Sequence, residues 1–309
     1  MKVIPLAAES MGVRSMATFV EVDGVGILID PGATLAPSRF NLPPADEEWE
    51  ELRRANDRIS AYATRAALVF VSHYHEDHFR SDPATYTGRR VLVKDARRMI
   101  QGAQAKRALE LGVALAPCAS ITSADGTVHR EANFTLEVST PLPHGVEGTT
   151  LGSVLALTVV DHAQRERFVF ASDVQGPLSS VAGAYLIRQR PTLVYLSGPP
   201  SYVEHELGAG VIDRGIANLA GLIEATGCRV IMDHHALRDS RWAERFARLF
   251  ETGRVVTAAG FIGHGTTVLE TRRRELWSRA RRPAAKVGAV PMRPQWERKR
   301  KTAKGGYRE

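Results

Sequence analysis

Val71-Ser72-His73-Tyr74-His75-Glu76-Asp77-His78 sets four side chains able to bind a metal within six residues, in the pattern His-x-His-x-Asp-His. Three imidazoles and a carboxylate are good ligands for zinc and comparable divalent ions, and a loop carrying them can serve two neighbouring ions. Just before it, residues 67–71 (Ala-Leu-Val-Phe-Val) form a short apolar run with β-branched members, the pattern of a buried strand. The ligand-type residues thus begin where a rigid element ends. A solvated loop explains a lone histidine well, but it explains four such residues at this spacing poorly.

The segment resembles the signature of the metallo-β-lactamase superfamily. The resemblance implies further ligands in order along the chain, each near a strand end, and matching positions are present. Residues 138–142 lead into Pro143-His144-Gly145; Arg167-Phe168-Val169-Phe170-Ala171-Ser172-Asp173 ends in an aspartate; Arg229-Val230-Ile231-Met232-Asp233-His234-His235 ends in two histidines. By this resemblance His73, His75 and His144 hold one ion, Asp77, His78 and His234 the other, and Asp173 bridges them. Asp30, in Gly26-Ile27-Leu28-Ile29-Asp30-Pro31-Gly32, would stand behind the ligands. The resemblance spans about residues 3–265. Details such as Gly12-Val13-Arg14-Ser15, Ser172-Asp173-Val174-Gln175-Gly176-Pro177 and Ser197-Gly198-Pro199-Pro200 are most similar to an archaeal-type branch of predicted metal-dependent hydrolases, which has no settled substrate. The implied cofactors are two divalent ions, zinc first, with manganese or iron as alternatives.

His234 and His235 are adjacent, and on a strand they would point to opposite sides, so one of them is expected to ligate a given ion. His234 is chosen as nearer the strand end. That leaves His235 to donate a proton to a leaving group or to be a satisfied polar residue. Asp77, Asp173 and His235 are the candidate catalytic groups. His129, His162, His205 and His264 have no partner pattern and read as surface or hydrogen-bonded histidines. Tyr74, Glu76 and Arg80 lie beside the ligands in sequence, where they would either face substrate or belong to a solvated loop.

A chain of 309 residues with 44% hydrophobic content can bury a large core. No apolar run approaches the roughly 20 residues needed to span a bilayer, and the first residues lack a signal-peptide core, so a cytoplasmic protein without membrane contact is expected. Cys118 and Cys228 are far apart and read as free buried thiols. The net charge is +7, yet residues 271–309 carry fourteen Lys/Arg against three Asp/Glu, a local +11, so residues 1–270 sum to −4. The expected organisation is therefore a hydrolase domain over 1–270, then a basic C-terminal helix and partly disordered tail over 271–309. The tail is either a solubilising extension or an electrostatic grip on RNA or DNA, with Trp296 and Tyr307 as stacking groups.

Apolar spacing predicts paired strands at 17–23 and 26–30, strands at 91–93, 192–197, 228–233 and 254–258, and a hairpin of 154–160 with 167–171. Helices are predicted over 46–64, with Asp46 as its cap, and over 96–112, 211–226 and 239–251. Residues 127–138 give no clear pattern. Periodicity establishes an α/β class; the four-layer αββα sandwich is what the resemblance implies.

A water shared by two such ions loses its proton near neutral pH, its pKa falling from 15.7 to about 7. The leading functional expectation is a dinuclear metal-dependent hydrolase using metal-bound hydroxide, with a phosphodiester in RNA or a nucleotide favoured. Hydrolysis of a small ester, thioester or lactone is the second reading, and a non-catalytic metal-binding regulatory or nucleic-acid-binding protein the third. The 60 residues between Asp173 and His234 leave no room for the large inserted domain of the superfamily's β-CASP nucleases. Oxygen-reducing di-iron relatives place Glu where this chain has His75, which ranks redox chemistry low.

Overall fold

A computed structural model of the chain describes residues 1–208 and 210–280. Six strands form the first sheet, in the order β1 (Lys2–Pro5), β2 (Thr18–Val22), β3 (Val25–Ile29), β4 (Leu68–Val71), β5 (Arg90–Val93) and β6 (Ser120–Ser123). Pairing is antiparallel from β1 to β3 and parallel from β3 to β6. The second sheet contains β7 (Val128–Arg130), β8 (Phe134–Val138), β11 (Leu157–Asp161), β12 (Glu166–Ser172), β13 (Leu193–Ser197), β14 (Arg229–Asp233) and β15 (Val255–Val256). Its last four strands run parallel, and a small ribbon of β9 (Leu142–Pro143) and β10 (Ser153–Val154) stands beside it.

Side chains alternate across each strand, and the alternation sorts the core into layers. Val20, Ile27, Phe70 and Leu92 of the first sheet pack against Leu136, Val159, Phe170 and Ile231 of the second, so the sheets lie face to face. On the far side of the first sheet, Val69, Val71 and Val91 meet Ala55 and Ile59 of α1 (Asp46–Ala63) and Leu111 and Leu115 of α2 (Gly102–Leu115). On the far side of the second, Val169, Val194 and Val230 meet Leu186 of α3 (Ser180–Gln189). The single turn α4 (Glu204–Leu207) precedes α5 (Val211–Thr226), whose Leu219 and Leu222 join the same layer. Helix, sheet, sheet, helix is the four-layer αββα sandwich of the metallo-β-lactamase fold.

Several local readings are corrected. The N-cap of α1 is Ala45 rather than Asp46, and the Glu48 carboxylate accepts its N–H at 2.8 Å. Helix α2 begins at 102, because Asp125 and Asp95 accept the backbone N–H groups of Asp95 and Arg97 and hold that stretch in turns. The strand expected over 154–160 is split: Leu155 donates its N–H to the Ser72 carbonyl across to the first half of the chain. The helix expected over 239–251 is two short pieces, α6 (Trp242–Arg245) and α7 (Ala247–Glu251), broken at buried Phe246, whose φ of −107° and ψ of 12° leave the helical region. Thr257 leaves β15 to cap α8 (Ala258–Phe261) by accepting from Gly260 N–H.

Among the described residues no helix is long and apolar enough to cross a membrane. Cys118 and Cys228 are free, and Cys228 is buried. Past residue 270 the chain turns into α9 (Arg273–Ala280), where Arg273 is wholly buried against Glu48, with hydrogen bonds of 2.7 and 2.8 Å. The tail from 281 onward, including Trp296, Tyr307 and the nucleic-acid contact expected of it, lies outside the described residues.

Breaking a buried pair leaves an uncompensated charge, so Arg273→Met should lower unfolding stability by roughly 3–5 kcal/mol. Arg54→Ala, which removes an exposed pair with Glu50, should cost less than about 1 kcal/mol. Urea-unfolding midpoints of the two variants check the contrast.

Candidate metal centre

The site forms where parallel strands of both sheets end, the edge at which α/β sheets bind ligands. Three non-glycine residues just past or at strand ends are in left-handed conformation: Asp30 (φ 43°), Ser172 (φ 54°) and His234 (φ 57°). Such backbone is sparsely populated and persists where surrounding bonds enforce it. Here Ser72, following β4, donates its N–H to Asp30 Oδ1 at 2.7 Å, and its Oγ lies 2.5 Å from Asp30 Oδ2 and 2.7 Å from Ser172 Oγ. That knot joins the ends of β3, β4 and β12 beneath the histidine loop. Gly32 lets the loop come close, since a Cβ there would sit 2.5 Å from His78 N.

All seven expected ligand positions converge, and they do so in two groups. His73, His75, His144 and Asp173 offer donor atoms within 4.8 Å of one another, as do Asp77, His78 and His234. In the first group His73 Nε2 is 3.1 Å from His75 Nδ1, and His144 Nε2 is 3.2 Å from Asp173 Oδ2. In the second, His234 Nε2 lies 3.3 Å from His78 Nε2 and 3.5 Å from Asp77 Oδ2. A tetrahedral ion with bonds near 2.1 Å places its donors about 3.4 Å apart, so these spacings suit zinc-sized ions. Asp173 Oδ2 also lies 3.3 Å from His78 Nε2, between the groups. Asp173 Oδ1 and His144 Nδ1 are buried without a hydrogen-bond partner. Buried polar atoms are rarely left so, and for Asp173 Oδ1 a coordinated cation would satisfy the lone pairs.

Burial lowers the pKa of His75 and of His235 to about 3, and those of His73 and His234 also fall well below the usual value. These imidazoles are neutral at physiological pH, the form that binds metal. Burial opposes charge on His78 too, but Asp173, Asp30 and Asp77 outweigh it and hold its pKa well above the ordinary range. Burial pushes Asp77 up, yet His78, His234 and Arg238 hold it well below the ordinary carboxylate value.

His234 and His235 do not lie on a strand. Strand β14 ends at Asp233, and the left-handed turn at His234 starts a 3-10 helix, His234–Arg238. Opposite-face geometry therefore does not apply: His234 Nε2 is 3.6 Å from Asp173 Oδ1 and His235 Nε2 is 3.3 Å from Asp173 Oδ2. The Nδ1 atom of His235 meets the Tyr202 hydroxyl at 3.0 Å.

Other residues sort clearly. Asp30 lies 2.8 Å from His78 Nδ1, on the side of the ring away from Asp173 and His234. Tyr74 turns away and donates to the Lys94 carbonyl, Glu76 lies at the mouth 3.5 Å from Arg107, and Arg80 is tied to Ser60 and Asn56. His129 and His162 bond Thr127 and Thr135, outside the cluster. Sequence reading missed Glu9, Arg238, Gln104 and Tyr202. Glu9 Oε2 holds His234 Nδ1 at 2.7 Å, and its Oε1 accepts from Arg238 Nε at 2.7 Å. Burial raises the Glu9 pKa to about 7, against the pull of Arg238. The Gln104 amide sits 3.3 Å from His75 Nε2. Above the donors opens a cleft of about 440 Å³, walled by Arg14, Arg107, Tyr202 and Gln175 and by Leu35, Leu151, Val203 and Leu207.

The UPF0282 protein of Thermococcus gammatolerans is 41% identical over 295 residues, covering 91% of this chain and 96% of its own length. The chain belongs to the UPF0282 family. The UPF0282 protein of Pyrococcus horikoshii is 39% identical, with 89% and 92% covered, and that of Methanocaldococcus jannaschii is 36% identical, with 89% and 96% covered. No family model matches the chain. Among solved structures, Zn2+-bound PqqB from Methylobacterium extorquens is similar with a TM-score of 0.49 at 9% identity, covering 86% of this chain and 99% of that one. Human tRNase Z, short form, gives a TM-score of 0.45 at 16% identity, with 76% and 92% covered. The relatives in this family are archaeal proteins matched along nearly their whole length.

Partners that orient metal-binding histidines commonly change affinity by 10–100-fold. Asp30→Asn should accordingly weaken zinc binding by roughly tenfold or more, read by competition with a chromophoric chelator.

Proposed function

We propose that this UPF0282 chain is a metal-dependent hydrolase holding two divalent ions, with phosphodiesters, in RNA or a nucleotide, as its substrate class. The observation that carries the reading is the meeting of two donor groups at Asp173 Oδ2, at the base of an open cleft. His73, His75 and His144 would hold one ion and Asp77, His78 and His234 the other, with Asp173 shared. When bound, divalent ions supply Lewis acidity, lowering the pKa of a coordinated water to about 7 and polarising the oxygen under attack.

The chain's own residues position the substrate. Arg107 supports an anionic substrate: its guanidinium is one-third exposed at the cleft mouth, with the Tyr74 carbonyl at 3.4 Å and Glu76 at 3.5 Å. Those long contacts leave donors for a phosphate oxygen. His235, oriented at Nδ1 by the Tyr202 hydroxyl, presents Nε2 beside Asp173 and, neutral at physiological pH, can hydrogen-bond a reacting oxygen but does not protonate it. The apolar wall of Leu35, Leu151, Val203 and Leu207 favours the second reading, a small ester, thioester or lactone.

Hydrolysis of bis(p-nitrophenyl) phosphate and of p-nitrophenyl acetate, each with added zinc or manganese, separates the two. Diester turnover should exceed ester turnover and stop with a chelator. Asp173→Ala should lower kcat roughly a hundredfold or more while circular dichroism is unchanged. Turnover indifferent to chelator would overturn the hydrolase reading. Zinc titration assigns the last ligand: His234→Ala should lose the second binding step and His235→Ala keep it, and the reverse would exchange their roles.

A further inference from the structure

The two donor groups differ in what surrounds them. Arg238, on the 3-10 helix after β14, is 5% exposed, and its guanidinium reaches into the second group. Its Nη2 lies 3.1 Å from Asp77 Oδ2 and 3.1 Å from His234 Nε2. Those are two of the three donor atoms on which an ion there would depend. The Nδ1 of His234 is already engaged by Glu9, so Nε2 carries the lone pair that the guanidinium faces. Arg238 is held in place by its 2.7 Å bond from Nε to Glu9 Oε1. Arginine stays charged at any physiological pH, so this is a fixed cation.

No guanidinium touches the first group, whose cationic neighbour is His78, 3.3 Å from the Asp173 Oδ2 that both groups share. The neighbour of His75 Nε2 is the neutral Gln104 amide at 3.3 Å, and His144 Nδ1 has no partner. His73 Nδ1 faces the hydroxyls of Ser72 and Ser172 at 3.0 and 3.5 Å. An ion entering between His73, His75 and His144 displaces no guanidinium. One entering between Asp77, His78 and His234 must take two donor atoms from a guanidinium and then sit beside its charge, with Glu9 offsetting part of the repulsion.

We propose that Arg238 makes the two ion sites unequal, so that the chain holds one ion firmly in the His73–His75–His144 site and exchanges a second in the Asp77–His78–His234 site. Arg238 is then a positioning residue that tunes metal occupancy, standing in for the second ion while that site is empty. This rests on the metal-centre reading above.

Calorimetric titration of the chelator-stripped full chain with Zn2+, paired with elemental analysis after dialysis, tests it without recourse to activity. The wild-type chain should retain one ion and bind a second roughly tenfold or more weaker. Arg238→Gln removes the charge but can still hydrogen-bond Glu9, and it should tighten the second step by roughly tenfold while shifting the first far less. Arg238→Lys keeps a charge and should preserve the inequality. Two steps of equal strength in the wild-type chain would overturn the proposal without any variant, as would an Arg238→Gln chain, folded by circular dichroism, with an unchanged second step. Absence of any zinc binding would overturn the metal centre itself along with this inference.

Discussion

A carboxylate 1% exposed, with imidazole nitrogens of five histidines within 3.6 Å, is the constraint around which this molecule is arranged. Burying a charge is costly unless it is paired and hydrogen-bonded, and Asp173 Oδ2 is closely surrounded, while Oδ1, 3.6 Å from His234 Nε2, has no hydrogen bond. Its neighbours come from three separate stretches of chain. His73 and His78 follow β4 of the first sheet, His144 follows β9, and His234 and His235 follow β14 of the second. Meeting at one carboxylate requires the two sheets to be in face-to-face register with their strand ends at a common edge. The sandwich core of Phe70, Phe170, Tyr195 and Ile231 supplies that register through apolar burial, which is strong but without direction. The polar knot supplies the direction.

A chain of buried acids carries this second task. Asp30 accepts from Ser72 and lies against His78; Glu9 lies against His234 and Arg238. Asp233 accepts the N–H groups of Ser10, His234 and Ala258, joining the end of β14 to a residue 223 positions earlier and to the start of α8. Burial pushes the Asp233 pKa up to about 6, with Glu9 adding to the effect and the three N–H donors resisting it. Each acid thus fixes either a ligand's ring or the backbone turn that aims it. The left-handed turns at Asp30, Ser172 and His234 sit at or beside these bonds, which is where strained backbone can be held.

How much of this was legible in the sequence follows from the range of each interaction. The His-x-His-x-Asp-His loop, the strand before it and helix α5 rest on spacing over a few residues, and they emerge within a residue or two. His144 and Asp173 came through resemblance, because an isolated His after a proline has no local signature. The strand argument at His234 and His235 failed for a local reason, since a single left-handed residue ends the period-2 alternation. Glu9 and Arg238 stand 229 positions apart, and nothing near Ala8-Glu9-Ser10 announces a buried acid. One usable signal existed: Arg238 is four residues after His234 and two after the buried Ala236, a placement that on a tight helix turns a cation back toward the ligand.

The same geometry shows how positive charge can stand at the cleft of a body that is net acidic. Residues 1–270 carry −4, yet charge at the cleft is distributed by position rather than by sum. Asp77 and Asp173 are consumed in holding cations, whether imidazolium, guanidinium or metal. Arg14 is bound by Glu270 at 2.7 Å through Nε and Nη2, and Arg238 by Glu9 at 2.7 Å. Arg107, at the mouth of the cleft, is held by longer contacts of 3.4 and 3.5 Å. A cation with long contacts at the mouth of the cleft, above carboxylates that are already paired, gives an anionic group a place to approach from solvent.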